Sequence, residues 1–228
     1  GEIVYKGIGM KILVTGVSGQ LGYDVCKELD RLGIENKGTD VQDFDLTDGD
    51  AVMAAVKAYA PDAIIHCAAY TNVEKAESMP EVCADVNGMG TLNMVRAALA
   101  VNAKLMYIST DYVFEGTGDT PYEVNDPHKP QSVYGLTKDQ GEEAVTSLMQ
   151  RYFIVRISWV FGVNGHNFVR TMMRLGSERK EINVVSDQIG SPTYTADLAV
   201  LLGAMIQTEK YGVYHATNEG YCSWAEFA

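Results

Sequence analysis

The chain has 228 residues, of which 46% are hydrophobic, and carries a formal net charge of −12 at neutral pH. This length suffices for one large domain, or for one domain with a small annex. A strongly negative surface repels phosphate backbones, so nucleic acid is not expected as a partner. No apolar run approaches the roughly 20 residues that cross a bilayer, so membrane contact is not expected and a cytoplasmic location is predicted.

The cysteines, the histidines and the N-terminus argue against disulfide-linked, metal-binding and secreted classes of protein. Cys26, Cys67, Cys83 and Cys222 form no C-x-x-C pair, which indicates free thiols in a reducing compartment. The four histidines are scattered and form no pattern with carboxylates, so no metal site is predicted. Residues 1–9 contain one Lys and no apolar segment and are not expected to be a secretory signal. Met10, directly before a strand pattern, is typical of a natural start, so residues 1–9 are expected to be an addition to it.

Strand and helix patterns alternate along the chain. The predicted strands are Lys11–Thr15, Glu35–Asp40, Ala63–Cys67, Lys104–Ser109, Phe153–Ser158, Glu181–Val185 and Gly212–Thr217. The predicted helices are Leu21–Leu32, Asp48–Tyr59 (capped by Thr47 with Asp50), Glu81–Asn102, Ser132–Arg151, Asn167–Arg179 and Thr195–Gln207. The long Gly- and Pro-rich loop Thr110–Gln131 is typical of a functional segment. The alternation predicts an α/β fold with a parallel sheet covered on both faces.

A glycine-rich turn follows the first predicted strand. Gly16, Gly19 and Gly22 have the spacing G-x-x-G-x-x-G at a strand-to-helix junction, where the backbone can approach a pyrophosphate and the helix start offers free N–H groups. A tight turn without a ligand is the alternative, but the position in the first βα unit favours a dinucleotide. Asp40, at the end of the second strand, could accept hydrogen bonds from the adenosine ribose. Asp45 could hold the adenine amino group; for either Asp a solvated loop carboxylate is equally plausible.

A tyrosine and a lysine stand one helical turn apart in the predicted helix Ser132–Arg151. Tyr134 and Lys138 occupy positions i and i+4 and therefore share one face. A ketone that accepts a hydride becomes an alkoxide and needs a proton; a neighbouring ammonium is expected to lower the phenol pKa from its usual value of about 10. Thr110, at the end of a strand, could steady the carbonyl oxygen. An exposed Tyr and Lys are the alternative for this common spacing, but the glycine-rich turn favours catalysis.

Several longer motifs carry a family resemblance. They are GVSGQLG (Gly16–Gly22), HCAAYTNVEKA (His66–Ala76), STDYVFEG (Ser109–Gly116), YGLTKDQGE (Tyr134–Glu142), RISWVFG (Arg156–Gly162), NFVRTMMRL (Asn167–Leu175) and VSDQIGSPT (Val185–Thr193). On these residues the chain resembles the extended branch of the short-chain dehydrogenase/reductase superfamily and, within it, the dTDP-4-dehydrorhamnose reductases. The resemblance implies a Rossmann-like doubly wound parallel sheet in an NAD(P)-binding domain, residues 10–158. Residues 159–228 would form mainly a small substrate-binding annex, interleaved with late sheet strands.

The resemblance also implies roles for particular residues. Thr110, Tyr134 and Lys138 would be catalytic. The cofactor-binding residues would be Gly16, Ser18, Gly19, Gln20, Leu21, Gly22, Asp40, Asp45, Leu46, Ala68, Ala69, Tyr134 and Lys138. The sugar would be contacted by Asp111, Trp159, Asn167, Phe168 and Met172, although Trp159, Phe168 and Met172 could be core residues and Asn167 a helix N-cap. Dual use of NADP(H) and NAD(H) is expected, as Lys37 could offset the charge of Asp40.

The implied reaction is reduction of the 4-keto group of a dTDP-linked 6-deoxysugar, dTDP-4-dehydro-L-rhamnose to dTDP-L-rhamnose, in cell-surface polysaccharide synthesis. The alternatives are a sugar-nucleotide dehydratase or epimerase, and a non-catalytic regulatory subunit. A dehydratase needs two further proton carriers, and Thr110 is followed by Asp111 but then by Tyr112 where related dehydratases have Glu. A homodimer is possible, and some family members use magnesium, for which no ligands are identified. The family also continues beyond Ala228, so the helix expected at Ser223 would continue.

Overall fold

The computed structural model describes residues 9–228, so the expectation about the N-terminal addition falls outside the described residues except at Gly9. The strands are β1 (Lys11–Thr15), β2 (Glu35–Thr39), β3 (Ala63–His66), β4 (Lys104–Thr110), β5 (Tyr152–Ile157), β6 (Val160–Phe161), β7 (Ile189–Gly190), β8 (Thr193–Tyr194), β9 (Gly212–His215) and β10 (Cys222–Ser223). The helices are α1 (Gln20–Arg31), α2 (Gly49–Tyr59), α3 (Val73–Ser78), α4 (Pro80–Ala84), α5 (Gly90–Ala100), α6 (Val133–Leu148), α7 (Phe168–Glu178), α8 (Thr195–Met205) and α9 (Trp224–Phe227).

The main sheet is parallel, with the strand order β2-β1-β3-β4-β5-β9. The chain moves outward in opposite directions from β1 and β3, which defines a doubly wound sheet with its switch point between these two strands. The predicted α/β Rossmann-like fold is therefore confirmed. Ligands of such sheets bind at the carboxyl ends of the strands beside the switch point.

Alternating strand residues build a core on each face of the sheet. On β1, Ile12 and Val14 pack on the face covered by α1 and α8, while Leu13 packs on the face covered by α2, α5 and α6. These three side chains are almost completely buried. Burial of both faces explains why the strands β1, β3, β4 and β5 read as largely continuous apolar runs rather than alternating ones. Among residues 9–228, no helix has the length and apolar character needed to cross a membrane.

Three predictions about elements are wrong in detail. Residues 181–185 are irregular and do not form a strand. The short strand of this region is β7, which pairs antiparallel with β10. The predicted helix Glu81–Asn102 contains a π-helical turn, Asp85–Met89, between α4 and α5. Asp48, not Thr47, caps α2, since its carboxylate accepts from the N–H groups of residues 50 and 51.

The last seventy residues contribute to the main sheet and also form a smaller layer beside it. The strand β9 and the helix α8 belong to the main body, whereas β6 with β8 and β7 with β10 form two short ribbons. Trp159 and Trp224 stack with their ring centroids 3.6 Å apart, joining the end of β5 to α9. Ser223 caps α9 with a capping box to Glu226, which confirms a helix start at this serine.

Candidate active site

A cleft of about 830 Å³ opens at the carboxyl edge of the main sheet. Its walls include the residues that end β1, β4 and β5 and those that follow β3. Of the residues singled out by sequence, it brings together Gly16, Ser18, Gly19, Gln20, Leu21, Gly22, Asp40, Asp45, Leu46, Ala68, Ala69, Thr110, Asp111, Tyr134, Lys138, Trp159 and Asn167. The predicted catalytic and cofactor residues thus share one cavity, whose volume lies within the usual range for ligand sites.

The glycine-rich turn needs glycine because its backbone packs closely on itself and on the segment after β3. Gly16 has a φ of 73°, and a Cβ there would lie 2.7 Å from the backbone nitrogen of Ala68. A Cβ on Gly22 would lie 2.3 Å from the carbonyl oxygen of Gly16. Within the described chain α1 begins after Gly19 without a side-chain cap, so its first N–H groups face the cleft region. Such an uncapped helix start binds a pyrophosphate through N–H groups and the helix dipole.

The two acids that follow β2 are held by backbone groups. Asp40 accepts hydrogen bonds from the N–H groups of Ser18 and Val41, both at 2.8 Å. Burial alone would raise the pKa of Asp40, but these hydrogen bonds outweigh it and hold the pKa below its usual range. Asp45 accepts from the N–H and the hydroxyl of Thr47, which lowers its pKa. Asp40 therefore presents a fixed negative charge next to the glycine-rich turn.

Lys37 does not offset this charge as the sequence suggested. Its ammonium nitrogen lies over the ring of Tyr59, 5.8 Å from the ring centroid. Lys37 is also not among the residues that line the cleft. The i+3 spacing to Asp40 does not bring the two side chains together, because successive strand residues point to opposite faces of a sheet and residue 40 lies beyond the end of β2.

The proposed catalytic hydroxyls and ammonium come from β4 and α6. Ser132 caps α6, so Tyr134 and Lys138 stand in its first two turns. The hydroxyl of Thr110 donates to the carboxylate of Asp111 at 3.1 Å and accepts from the N–H of Tyr112. Thr110 and Lys138 are both buried. The three side chains of the expected catalytic group thus meet at one end of the cleft.

The pKa shift expected for Tyr134 is wrong in direction. Burial raises the pKa of Tyr134 above its ordinary value, although a hydrogen bond with Thr110 opposes the shift. The ammonium of Lys138 donates a 2.6 Å hydrogen bond to the carbonyl oxygen of Ile108. Burial also lowers the pKa of Lys138 to about 8. The phenol therefore remains protonated at neutral pH, and its raised pKa makes it a weaker proton donor than a free phenol.

Asp111 and Tyr112 stand at the mouth of the same pocket. The carboxylate of Asp111 accepts a hydrogen bond from the hydroxyl of Thr110 at 3.1 Å. Tyr112 packs edge-on against Tyr134, with their ring centroids 5.5 Å apart. Burial, and next the charge of Asp111, raises the pKa of Tyr112. Tyr112 therefore cannot accept a proton near neutral pH.

The residues predicted to contact the sugar divide into two groups. Asp111, Trp159 and Asn167 line the cleft, whereas Phe168 and Met172 are not among its lining residues. Phe168 packs on the aromatic ring of Trp224, with centroids 4.6 Å apart, so the packing alternative describes it better.

The polar atoms of Asn167 are engaged within the protein. Its side-chain oxygen caps α7, and its amide nitrogen donates to Gln20 at 3.0 Å and to Gly162 at 2.8 Å. Gln20 also accepts from the N–H of Gly162, and Asn164 donates to the carbonyl oxygen of Ser18. These bonds tie the segment after β6 to the glycine-rich turn.

Several cleft residues were missed from sequence. Among them are Phe44, Ser109, Tyr112, Ser158 and His166. Ser109 and Ser158 could have been found, because they stand at or directly after the carboxyl ends of predicted strands, where parallel sheets place their sites. No local sequence pattern identifies Phe44 or His166 as site residues, because the course of the loop that carries each of them brings it to the cleft.

Within residues 9–228 the structure assembles one His–carboxylate cluster that the sequence did not predict. Ligand atoms of His128, Asp139 and Glu142 lie within 4.8 Å of one another. The guanidinium of Arg156 donates to both oxygens of Glu142 at 2.8 and 2.7 Å and lies 2.8 Å from His128 Nε2, and Asp139 contacts the other ring nitrogen of His128. A fixed cation of the protein therefore already pairs with one carboxylate of this cluster.

Comparisons with known proteins agree with this geometry. The family model described as RmlD substrate binding domain matches residues 10–228. A dTDP-4-dehydrorhamnose reductase from Streptomyces griseus is 43% identical over 222 residues, covering 95% of this chain and 73% of that protein. The spore coat polysaccharide biosynthesis protein SpsK of Bacillus subtilis is 40% identical over 218 residues, covering 96% of this chain and 77% of its own length.

A solved structure extends the likeness to three dimensions. The crystal structure of dTDP-4-dehydrorhamnose reductase from Bacillus anthracis, in complex with NADP, superposes with a TM-score of 0.93 and 45% identity over 96% of this chain and 78% of that one. Three findings lead to one conclusion: the fold, the cleft that contains both the predicted catalytic and cofactor residues, and the matched family model. The chain belongs to the dTDP-4-dehydrorhamnose reductase family of NAD(P)-dependent oxidoreductases.

Proposed function

We propose that this protein uses NADPH or NADH to reduce the 4-keto group of a dTDP-linked 6-deoxysugar, converting dTDP-4-dehydro-L-rhamnose to dTDP-L-rhamnose for polysaccharide synthesis. One observation carries the proposal: Thr110, Tyr134 and Lys138 meet in the same cleft as an uncapped helix start after a glycine-rich turn. The relatives named above are reductases of such sugars or act in polysaccharide synthesis. Free cysteines at all four positions support a cytoplasmic location.

The protein residues would handle the proton that the reaction requires. When bound, a nicotinamide cofactor would supply the hydride for the ketone carbon. Tyr134, kept protonated by burial, donates its phenolic proton to the oxygen as negative charge develops there. Thr110 can donate to the same oxygen once its hydroxyl hydrogen turns away from Asp111, while the N–H of Tyr112 holds the hydroxyl oxygen at the end of β4. Two donors at one oxygen stabilise the developing charge.

Lys138 would hold the cofactor ribose and stabilise the phenolate left after proton transfer. Its three ammonium hydrogens exceed the one partner that it has at Ile108. The glycine-rich turn and the first N–H groups of α1 would hold the pyrophosphate, and Asp40 the adenosine ribose. The sugar nucleotide would lie toward Asp111, Trp159 and residues 159–228, which we propose as the substrate-binding annex.

The residue after Asp111 argues against the dehydratase alternative. Loss of water from a sugar needs a base that takes the proton beside the ketone. Tyr112 stands in that position, and its raised pKa keeps it protonated. An enzyme with this pair of residues reduces the ketone and stops, so it consumes its cofactor rather than recycling it.

The test is a cofactor-coupled assay. With dTDP-4-keto-6-deoxysugar as substrate, we expect one NAD(P)H to be oxidised for each sugar reduced, measured by absorbance and by product chromatography. With dTDP-glucose we expect no product. A 4-keto-6-deoxy product formed from dTDP-glucose without net cofactor change would establish the dehydratase instead.

A further inference from the structure

A buried ion pair lies directly behind the proposed active site. Glu142 on α6 accepts two hydrogen bonds from the guanidinium of Arg156 on β5, and both side chains are only 4% exposed. Glu142 also accepts a 2.6 Å hydrogen bond from the hydroxyl of Ser109 on β4. Burying two charges is costly unless their geometry is close to ideal and their other bonding positions are filled. These contacts meet that condition across three elements.

Arg156 connects the same pair to the long loop that follows β4. Its guanidinium donates to the carbonyl oxygen of Val124 at 3.0 Å and lies 2.8 Å from the ring nitrogen Nε2 of His128. His128 bonds Asp139 of α6 through its other nitrogen. The loop that carries Asp111 and Tyr112 is thereby fixed to the helix that carries Tyr134 and Lys138.

Glu142 stands one helical turn beyond Lys138, on the face that packs against β4. The groups that face the Lys138 ammonium come from several elements: Glu142 on α6, Tyr107 on β4, His66 and Cys67 at the end of β3, and Cys83 on α4. Burial keeps His66 neutral, with its pKa near 3, and raises the pKa of Cys67 to about 12. Glu142 is the carboxylate in this set, and it opposes the burial that disfavours the ammonium.

We propose that Glu142 is a positioning residue, which, paired with Arg156, keeps Lys138 in its ammonium form and holds the catalytic helix in register with β4. This inference rests on the proposed function, because it assigns Lys138 to the cofactor ribose. Ser109 and Ile108 are consecutive residues of β4, and they bond Glu142 and Lys138 respectively. The Glu142 carboxylate and the Lys138 ammonium are therefore held by two adjacent residues of the strand β4.

The test follows NADPH affinity with pH, a measurement that does not require turnover. NADPH fluorescence titrations between pH 7 and pH 10 would be run on the wild-type protein, Glu142→Gln and Glu142→Asp. Affinity should fall as pH rises through the pKa of Lys138. Glu142→Gln removes the negative charge, so the midpoint should move about one unit toward acid. Glu142→Asp keeps the charge and should restore most of the wild-type midpoint, which a purely structural role would not do.

The chain offers a matched control. Glu28 on α1 is also buried and also accepts two hydrogen bonds from one guanidinium, that of Arg31, at 2.7 Å each. Arg31 is 65% exposed, so this pair is less enclosed than that of Glu142 and Arg156. Glu28→Gln removes a carboxylate charge from an Arg pair outside the cleft. Its NADPH midpoint should equal that of the wild type.

The outcomes separate this inference from the proposed function. A wild-type protein that binds no NADPH would contradict the proposed function, whereas normal binding with an unmoved midpoint in Glu142→Gln would overturn the role of Glu142 alone. If Glu142→Gln does not fold because Arg156 is left unpaired, the double variant Glu142→Gln/Arg156→Met removes both charges and is compared with Arg156→Met, because loss of the Arg156 charge by itself moves the midpoint toward base. The double variant should have a more acidic midpoint than Arg156→Met, and equal midpoints in these two variants would equally overturn the inference.

Discussion

The ammonium nitrogen of Lys138 lies 4.3 Å from the centroid of the Tyr107 ring. The hydroxyl of the same tyrosine donates to the backbone oxygen of Lys138 at 3.1 Å, so one residue contacts both ends of the lysine. Gly141 makes room for this approach, because a Cβ there would lie 2.1 Å from the Tyr107 hydroxyl. The Tyr107 ring thus makes a cation–π contact with the ammonium, which stabilises a desolvated ammonium.

Two substitutions of Tyr107 should separate its ring from its hydroxyl. Tyr107→Phe keeps the ring and loses one hydrogen bond, so the free energy of unfolding should fall by about 1 kcal/mol with little change in NADPH affinity. Tyr107→Leu removes the aromatic face and should weaken NADPH binding by about 2- to 30-fold. Calorimetry and urea unfolding on both variants would decide between them. Equal losses of NADPH affinity would show that the hydroxyl, not the ring, supports Lys138.

Tyr134→Phe should abolish most turnover and leave cofactor binding nearly intact. The phenol acts on the oxygen of the reacting ketone, and proton transfer of this kind contributes about 10²–10⁴-fold in rate. Tyr112→Phe is the matched control, because Tyr112 packs edge-on against Tyr134 in the same cleft. It should keep a kcat close to that of the wild type. A Tyr134→Phe enzyme with near-normal kcat would remove Tyr134 from the mechanism.

Asp40→Asn should shift cofactor preference toward NADPH. The carboxylate of Asp40 repels a 2′-phosphate, and Lys37 does not neutralise it, since its ammonium lies over Tyr59. Asn keeps an oxygen that can accept from the N–H of Ser18, so the loop should hold its shape. The measurement is the ratio of kcat/KM for NADPH to that for NADH. Asp45→Asn serves as the control, and a change equal to that of Asp40→Asn would indicate a general charge effect.

His66 should make stability depend on pH below neutrality. It is 1% exposed, bonds Thr15 at 2.7 Å, and burial lowers its pKa to about 3. An unfolded chain protonates this ring near pH 6.5, so between about pH 6.5 and pH 3 the unfolded state binds the additional proton. Stability from this site is therefore present above pH 6.5 and falls as the pH decreases, by up to about 1.4 kcal/mol per unit.

Urea unfolding of the wild type and His66→Gln at several values between pH 5 and pH 8 would test this. The variant should be less stable at pH 8, and its stability should decline less steeply toward acid. Parallel curves for the two proteins would mean that His66 is protonated in the folded state.

Local patterns in the sequence determined the sheet-forming strands, the glycine-rich turn and the Tyr134–Lys138 pair. Each depends on neighbours within one or two turns of the chain: apolar runs, glycines at a tight junction and an i, i+4 spacing. The same locality explains the failure at residues 181–185, where an apolar pattern has no partner strand in the described chain. It also explains the wrong prediction that Thr47 caps α2, because Thr47 stands one residue before the true cap, Asp48.

Packing between distant segments decided the rest. Asn167 bonds Gln20 across 147 positions of sequence, and Arg156 meets Glu142, His128 and His215 from three separate elements. Spacing along the chain does not encode such contacts, because they form only when helices and strands have docked. The ionisation of the site follows the same rule: the sequence suggested a lowered pKa for Tyr134, and burial in the assembled cleft raises it.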